Sequence, residues 1–175
     1  LEGKISSGNS ENPLFYATNL RNLFQKASFP ENYTITLKIP NLSIGSNASY
    51  MFNASNIYKI ILEGDGNSNP TIYSYFCNGC SKLVEVDISN FNFVAKEVSY
   101  MFASCNSLKT IIGEMDFSKC TTLINPFNAC NKLEEVRFKK ETIPLSIKVL
   151  SEYLTFESIQ SIIDGLADLT DTDTQ

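Results

Sequence analysis

Ser99-Tyr100-Met101-Phe102-Ala103-Ser104-Cys105 decides the reading of this chain, because related stretches stand at 25-residue intervals on both sides of it. Upstream lie Ser74-Tyr75-Phe76-Cys77-Asn78-Gly79-Cys80 and, earlier, Ser49-Tyr50-Met51-Phe52-Asn53-Ala54-Ser55. Downstream, more loosely, lies Ile124-Asn125-Pro126-Phe127-Asn128-Ala129-Cys130. The copies end at Ser55, Cys80, Cys105 and Cys130, and the apolar pattern after each end repeats as well. Leu83, Leu108 and Leu133 follow at one offset, and Val86, Ile111 and Val136 at the next. Ile88 and Phe138 continue the pattern, which Gly113 interrupts in the middle copy. The first copy fits with a one-residue slip, as Ile57, Ile60 and Leu62. A fainter fifth unit precedes it, from Leu23-Phe24-Gln25-Lys26-Ala27 to the alternating run Thr34 to Ile39.

A unit this short cannot bury its own apolar face, so successive units must stack. The segment from the Leu to the Ile or Val alternates and is too short for a helix, which predicts a strand. Parallel strands stacked about 4.8 Å apart convert each apolar position into a ladder along the stack. Cys80, Cys105 and Cys130 form one such ladder, and the Leu and Val/Ile positions form others. The Tyr-Met-Phe segment then makes the opposite wall, and Asn67 to Pro70 and Ser89 to Asn92 read as turns. The expected fold is an α+β repeat solenoid, leucine-rich-repeat-like, with short parallel strands on one face and a capping helix at the C-terminal end. If the repeated aliphatics point inward, their alternating neighbours point outward. Those are Lys59, Ile61, Glu85, Asp87, Thr110, Ile112, Glu135 and Arg137, the candidate binding face.

The pattern Ser-Tyr-Met-Phe-x-x-Cys-x-x-Leu-x-x-Ile, with Asp87-Ile88-Ser89-Asn90-Phe91 following in one copy, resembles the BspA-type leucine-rich repeats. These occur in surface proteins of bacteria and some protists. The resemblance covers residues 49 to 140, best at 101–105. Ser55 in place of Cys, Pro126 in place of Met, and the irregular stretch from Gly113 to Leu123 depart from it. It implies a right-handed solenoid with a sheet on one face, exposed at a cell surface and used for adhesion.

Three segments result: an N-terminal extension with a divergent first repeat (1–48), the 25-residue repeats (49–140), and an end segment (141–175). In the last, Ile147-Lys148-Val149-Leu150 reads as a final strand. Thr155 then reads as a helix N-cap, with Glu157 in the first turn, where a carboxylate is favoured. Phe156, Ile159, Ile162, Ile163, Leu166 and Leu169 recur at helical spacing, which predicts a helix over 156–168 with its apolar stripe on the open end of the stack. The competing reading gives that stripe to a partner. Asn19 to Ala27 reads as a short helix with Leu20, Leu23 and Phe24 inward, after a disordered start. The chain opens at Leu1 without a leader, as expected of a processed or excised piece, and is expected to continue past Gln175.

The chain has no His, which removes Ser–His and Cys–His nucleophile pairs and His-containing metal sites. A net charge of −5 argues against nucleic acid, and no apolar run is long enough for a membrane span. Cys77-Asn78-Gly79-Cys80 has the spacing of a metal or redox pair. Yet Cys80 belongs to the ladder, and Cys77 stands where other copies have Phe52, Phe102 and Phe127, so both read as buried, reduced, small hydrophobes. Stacked Cys side chains would also lie farther apart than a disulfide prefers. Glu85, Asp87, Glu114, Asp116, Glu134 and Glu135 show no pairing of the kind a glycosidase uses. Asn32, Asn41, Asn47 and Asn53 head glycosylation sequons, which matter only in a eukaryotic secretory route. The expectation is a non-enzymatic, cofactor-free and metal-free adhesion module outside the cell, binding protein or glycan. A phage tail component using the same repeats for attachment is the alternative, and a carboxylate-based hydrolase a distant third.

Overall fold

A computed structural model describes residues 20–38, 47–64, 71–144 and 147–166. The protein is a parallel β-solenoid of about four turns, closed at its C-terminal end by one short helix. Five strands, β1 (Thr34–Lys38), β2 (Lys59–Gly64), β3 (Glu85–Phe91), β4 (Thr110–Met115) and β5 (Glu135–Phe138), form one parallel sheet in chain order. Ile60, Val86 and Ile111 stack in register and are buried, as is Val136 in β5. Leu83, Leu108 and Leu133 are likewise fully buried behind the start of each strand. No helix is long and apolar enough to cross a membrane among the described residues.

The wall opposite the sheet is a run of turns, and its backbone explains the repeated motif. In one copy the Met51, Asn53 and Ser55 amides donate to Ala48, Tyr50 and Phe52 carbonyls at 3.2, 3.1 and 2.9 Å. The amides between them turn the other way: Ala48, Tyr50, Phe52 and Ala54 donate to Ile72, Ser74, Phe76 and Asn78 of the next copy. Positive φ at Tyr50 and Ala54 produces this alternation, and it recurs at Tyr75 and Gly79, Tyr100 and Ser104, and Asn125 and Ala129. A side chain in the left-handed region costs on the order of 1 kcal/mol. That cost is offset because these amides all find a carbonyl, half within the turn and half in the neighbour.

Met51, Met101, Phe52, Phe102 and Phe127 point into the core, where truncating one Phe to Ala would cost about 3–5 kcal/mol. The Cys ladder lies beside them, all five cysteines buried and free. Cys80, Cys105 and Cys130 each donate their thiol, at 3.0 Å, to the carbonyl of Phe52, Cys77 and Phe102 in the preceding copy. A small apolar residue that also carries one donor suits this position. Ser55 fills it in the first copy, its hydroxyl 3.6 Å from the Cys80 sulfur. Burial pushes the Cys130 thiol up to about 12 and holds Cys105 well above its ordinary value.

Several sequence expectations give way. Residues 20–27 are no helix: Asn22 and Lys26 have positive φ, and the segment forms the same turn wall one copy earlier, with Leu23 exposed. Ser89, Asn90 and Phe91 belong to β3, so the turn there begins later; the stretches 65–70 and 1–11 lie outside the described residues. Gly113 is a displaced residue at φ +100, after which Met115 takes the place beside Phe138. A Cβ there would stand 2.8 Å from the Ser89 nitrogen, so close approach of β4 to β3 requires glycine.

Ile147 to Leu150 is not a strand, because the edge it would have joined is occupied. Helix α1 (Phe156–Gly165), N-capped by the Thr155 hydroxyl, lies along β5. Its small-residue side makes the closest contact, and of the expected apolar stripe only Ile162 packs against the core, Leu169 lying outside the described residues. Ser158 accepts from the Val136 amide at 3.1 Å, and Ser161 from the Phe138 amide at 2.9 Å. Gly165 packs where a Cβ would come within 2.9 Å of Ile143. Phe156, Ile159, Ile163 and Leu166 face away and are exposed. The physical reason is the open strand edge. An aliphatic face would leave two buried amides unpaired at about 1–3 kcal/mol each.

Candidate functional site

The outward face of the sheet inherits its geometry from strand alternation and from the register between copies. Thr34, Lys59, Glu85, Thr110 and Glu135 stand opposite one another in one row. Thr36, Ile61, Asp87 and Ile112 form the next. Seven of the eight candidate residues therefore share two rows. Arg137 does not: the irregularity at Gly113 places it opposite Glu114, beyond the end of the second row.

Most charge on this face is compensated locally. Lys59 pairs with Glu85, and Lys38 with Glu63 at 3.3 Å. The hydrogen bond to Glu85 raises the Lys59 pKa despite the opposing effect of desolvation. Asp87 is occupied by its own strand, accepting from the Ser89 amide at 2.9 Å and the Ser89 hydroxyl at 2.7 Å. That leaves Ile61 half-buried and Ile112 38% exposed as apolar points in the middle of the face, with Glu135 exposed at the end of the first row. Such a surface offers flat contact with a few apolar anchors, and its paired charges give it no strong field of one sign.

No protein-family model matches this chain, and no curated protein or solved structure is significantly similar to it. The sheet face must therefore be judged by its chemistry.

The remaining polar candidates have structural surroundings. Asp116 is nearly buried and takes the Lys139 ammonium at 2.9 Å and the Ser118 amide at 2.8 Å. Burial works to raise its pKa, but the Ser118 and Lys139 contacts outweigh burial and hold the carboxyl below its ordinary value. Cys77 and Cys80 are both fully buried, and no cluster of three or more metal-binding side chains occurs among the described residues. Glu114 and Arg137 line a groove of about 400 Å³ together with Glu157, Gln160 and Asp164 of α1.

Two surface ladders on the turn wall escaped the sequence reading. Tyr50, Tyr75 and Tyr100 stack at centroid distances of 4.8 and 5.3 Å, and the Arg21 guanidinium covers the Tyr50 ring at 5.6 Å. The inner ring faces are turned on one another, so the row stiffens the wall more than it offers a stacking platform. Beside it, Asn53 donates through its side-chain amide to the Asn78 carbonyl at 3.0 Å, and Asn78 to the Ala103 carbonyl at 3.3 Å. This ladder gives Asn53 a packing role and takes up the amide a glycan would need. Both were visible as Tyr at the second and Asn at the fifth position of successive copies.

Proposed function

We propose that this chain is a non-catalytic binding module of the leucine-rich-repeat type, similar to the BspA-type surface proteins, which recognises protein or glycan through the outward face of its sheet. The observation that carries the reading is the two-row face itself: regular, largely charge-compensated, and centred on Ile61 and Ile112. Apolar anchors within a polar, paired surround are the usual composition of a protein-contact surface. The motif resemblance supports a position at the cell surface and a role in adhesion.

The test is binding of the labelled chain to epithelial cells with their matrix and to a panel of bacteria. Ile112→Glu serves as the probe of the face; Asp87 and Arg137 are poorer probes, one being satisfied by Ser89 and the other offset from the rows. Saturable binding to host cells, weakened about tenfold by Ile112→Glu at unchanged melting temperature, is expected. Strain-selective binding to bacteria alone would move the module to attachment of another kind. Affinity indifferent to Ile112→Glu would remove the sheet face from the mechanism.

A further inference from the structure

The apolar face of α1 is turned outward by the way the helix docks. Phe156, Ile159, Ile163 and Leu166 are 74%, 45%, 57% and 45% exposed. Phe156, Ile159 and Ile163 share one face of the helix at spacings of three and four, and Leu166, the extended C-cap residue, prolongs it. Ser158, Ser161 and Gly165, on the opposite side, hold β5. The helix is thus amphipathic in an unusual sense, with a small-residue side that closes the solenoid and an aliphatic seam left exposed among the described residues.

We propose that this seam pairs with the same seam of a second copy, the two helices antiparallel across a two-fold axis. Three observations favour a copy of this chain as the occupant. Gln160 on one side of the seam carries no charge, and Ile162 on the other packs against the core, so an identical helix meets no like charge at these flanks. Glu157 and Asp164 share a groove with Glu114, Arg137 and Lys140, so the rim carries both signs and a two-fold rotation can set acids of one copy against bases of the other. The third is area. The four exposed side chains present about 400 Å² of mostly apolar surface, and with an ordinary polar rim the pair would bury roughly 1,200 Å² in total. That lies at the lower end of the range for specific interfaces, where weak association is the rule, and a dissociation constant on the order of 10 µM is expected. The pairing does not depend on the sheet-face reading, and either can fail alone.

Sedimentation of the full chain from about 1 to 500 µM tests it, the range being set to bracket that constant. The weight-average mass should rise from 19.5 kDa toward twice that value. Ile163→Glu should hold it at the monomer value without shifting the melting temperature by more than about 2 °C, the position being exposed. Gln160→Cys, close to the proposed axis, adds an accessible thiol to a chain whose native cysteines are all buried. It should cross-link at least about tenfold faster than Lys82→Cys, an exposed position away from the helix. A wild-type chain monomeric throughout overturns the proposal, whether its own last residues or another protein cover the seam. So does a dimer that Ile163→Glu leaves intact, or cross-linking no faster at 160 than at 82.

Discussion

Replacing Ser158 with Ala isolates the device that ends the stack. The hydroxyl is 1% exposed and serves two backbone groups, accepting from the Val136 amide at 3.1 Å and donating to the Glu134 carbonyl at 3.2 Å. That carbonyl keeps a second donor, the Thr155 amide at 2.9 Å, so the amide is the one backbone group orphaned, while the Thr155 hydroxyl loses its 2.9 Å contact but still accepts from the residue 158 amide. A buried, unpaired amide costs about 1–3 kcal/mol, and the better helix propensity of Ala returns roughly 0.5. The net loss of about 1.5 kcal/mol corresponds to a fall in melting temperature of about 3–6 °C for a chain of this length. Ser161→Ala should cost less, since Ser161 is only half-buried and water can reach the Phe138 amide more readily. Thermal unfolding gives the magnitude, and amide exchange at Val136 gives the location, which should lose protection before β2 or β3 does. A shift under 1 °C with Val136 protection unchanged would mean that the serines do not close the edge.

Gly113→Ala should destabilise by about 3 kcal/mol, since it combines a φ of +100 with a Cβ 2.8 Å from the Ser89 nitrogen. Gly79→Ala should cost under about 1 kcal/mol, because its Cβ meets nothing nearer than 3.8 Å and Ala54 and Ala129 already occupy the same place in sibling copies. Equal effects in denaturant titrations would contradict the proposed close approach. Tyr73→Phe should stabilise by about 1 kcal/mol, since the Tyr73 hydroxyl is buried without a hydrogen-bond partner while its ring stacks on Phe93 at 4.5 Å; a loss of similar size would reveal a partner for it. Asp116→Asn should lower the melting temperature at pH 6 and progressively less at lower pH. The folded-state value of Asp116 is depressed, so its stabilisation is present above the ordinary carboxyl value near 3.8 and disappears as pH falls through the lower folded value. A gap between wild type and Asp116→Asn that stays constant from pH 6 to 2 would show that the Lys139 and Ser118 contacts contribute nothing.

The solenoid was legible in the sequence because stacking makes every inward position a period. Leu83, Leu108 and Leu133 occupy the same environment, so the same side chain suits all three, and the spacing alone reveals it. The sheet face followed by alternation, and seven of its eight residues fall into the expected rows. Arg137 does not, because register after Gly113 depends on a backbone displacement. Counting residues from the nearest Cys cannot register that shift. The alternating turns of the opposite wall were hidden for a different reason. Positive φ is normally signalled by Gly or Asn, and here Tyr50, Tyr75 and Tyr100 adopt it because the inter-copy amide bonds over-determine the backbone.

The ends were read least well, and necessarily so. Inside the stack each strand edge is completed by the next copy, so residues there answer mainly to burial. At β5 the neighbouring element is α1 and not a strand, and the requirement changes from apolar area to hydrogen bonding at close range. Ser158, Ser161 and Gly165 meet it at spacings of three and four, a helical stripe as periodic as the aliphatic one beside it. Reading α1 by hydrophobicity alone selects the wrong side, since the aliphatic stripe is the more conspicuous and a solenoid end is assumed to be greasy. Weighing both sides against an open edge reverses the choice, because two orphaned amides forfeit about as much as a buried aliphatic residue gains. Once the small side is assigned to the edge, the aliphatic seam is left without a partner among the described residues, and the proposed pairing of two such seams gives it one.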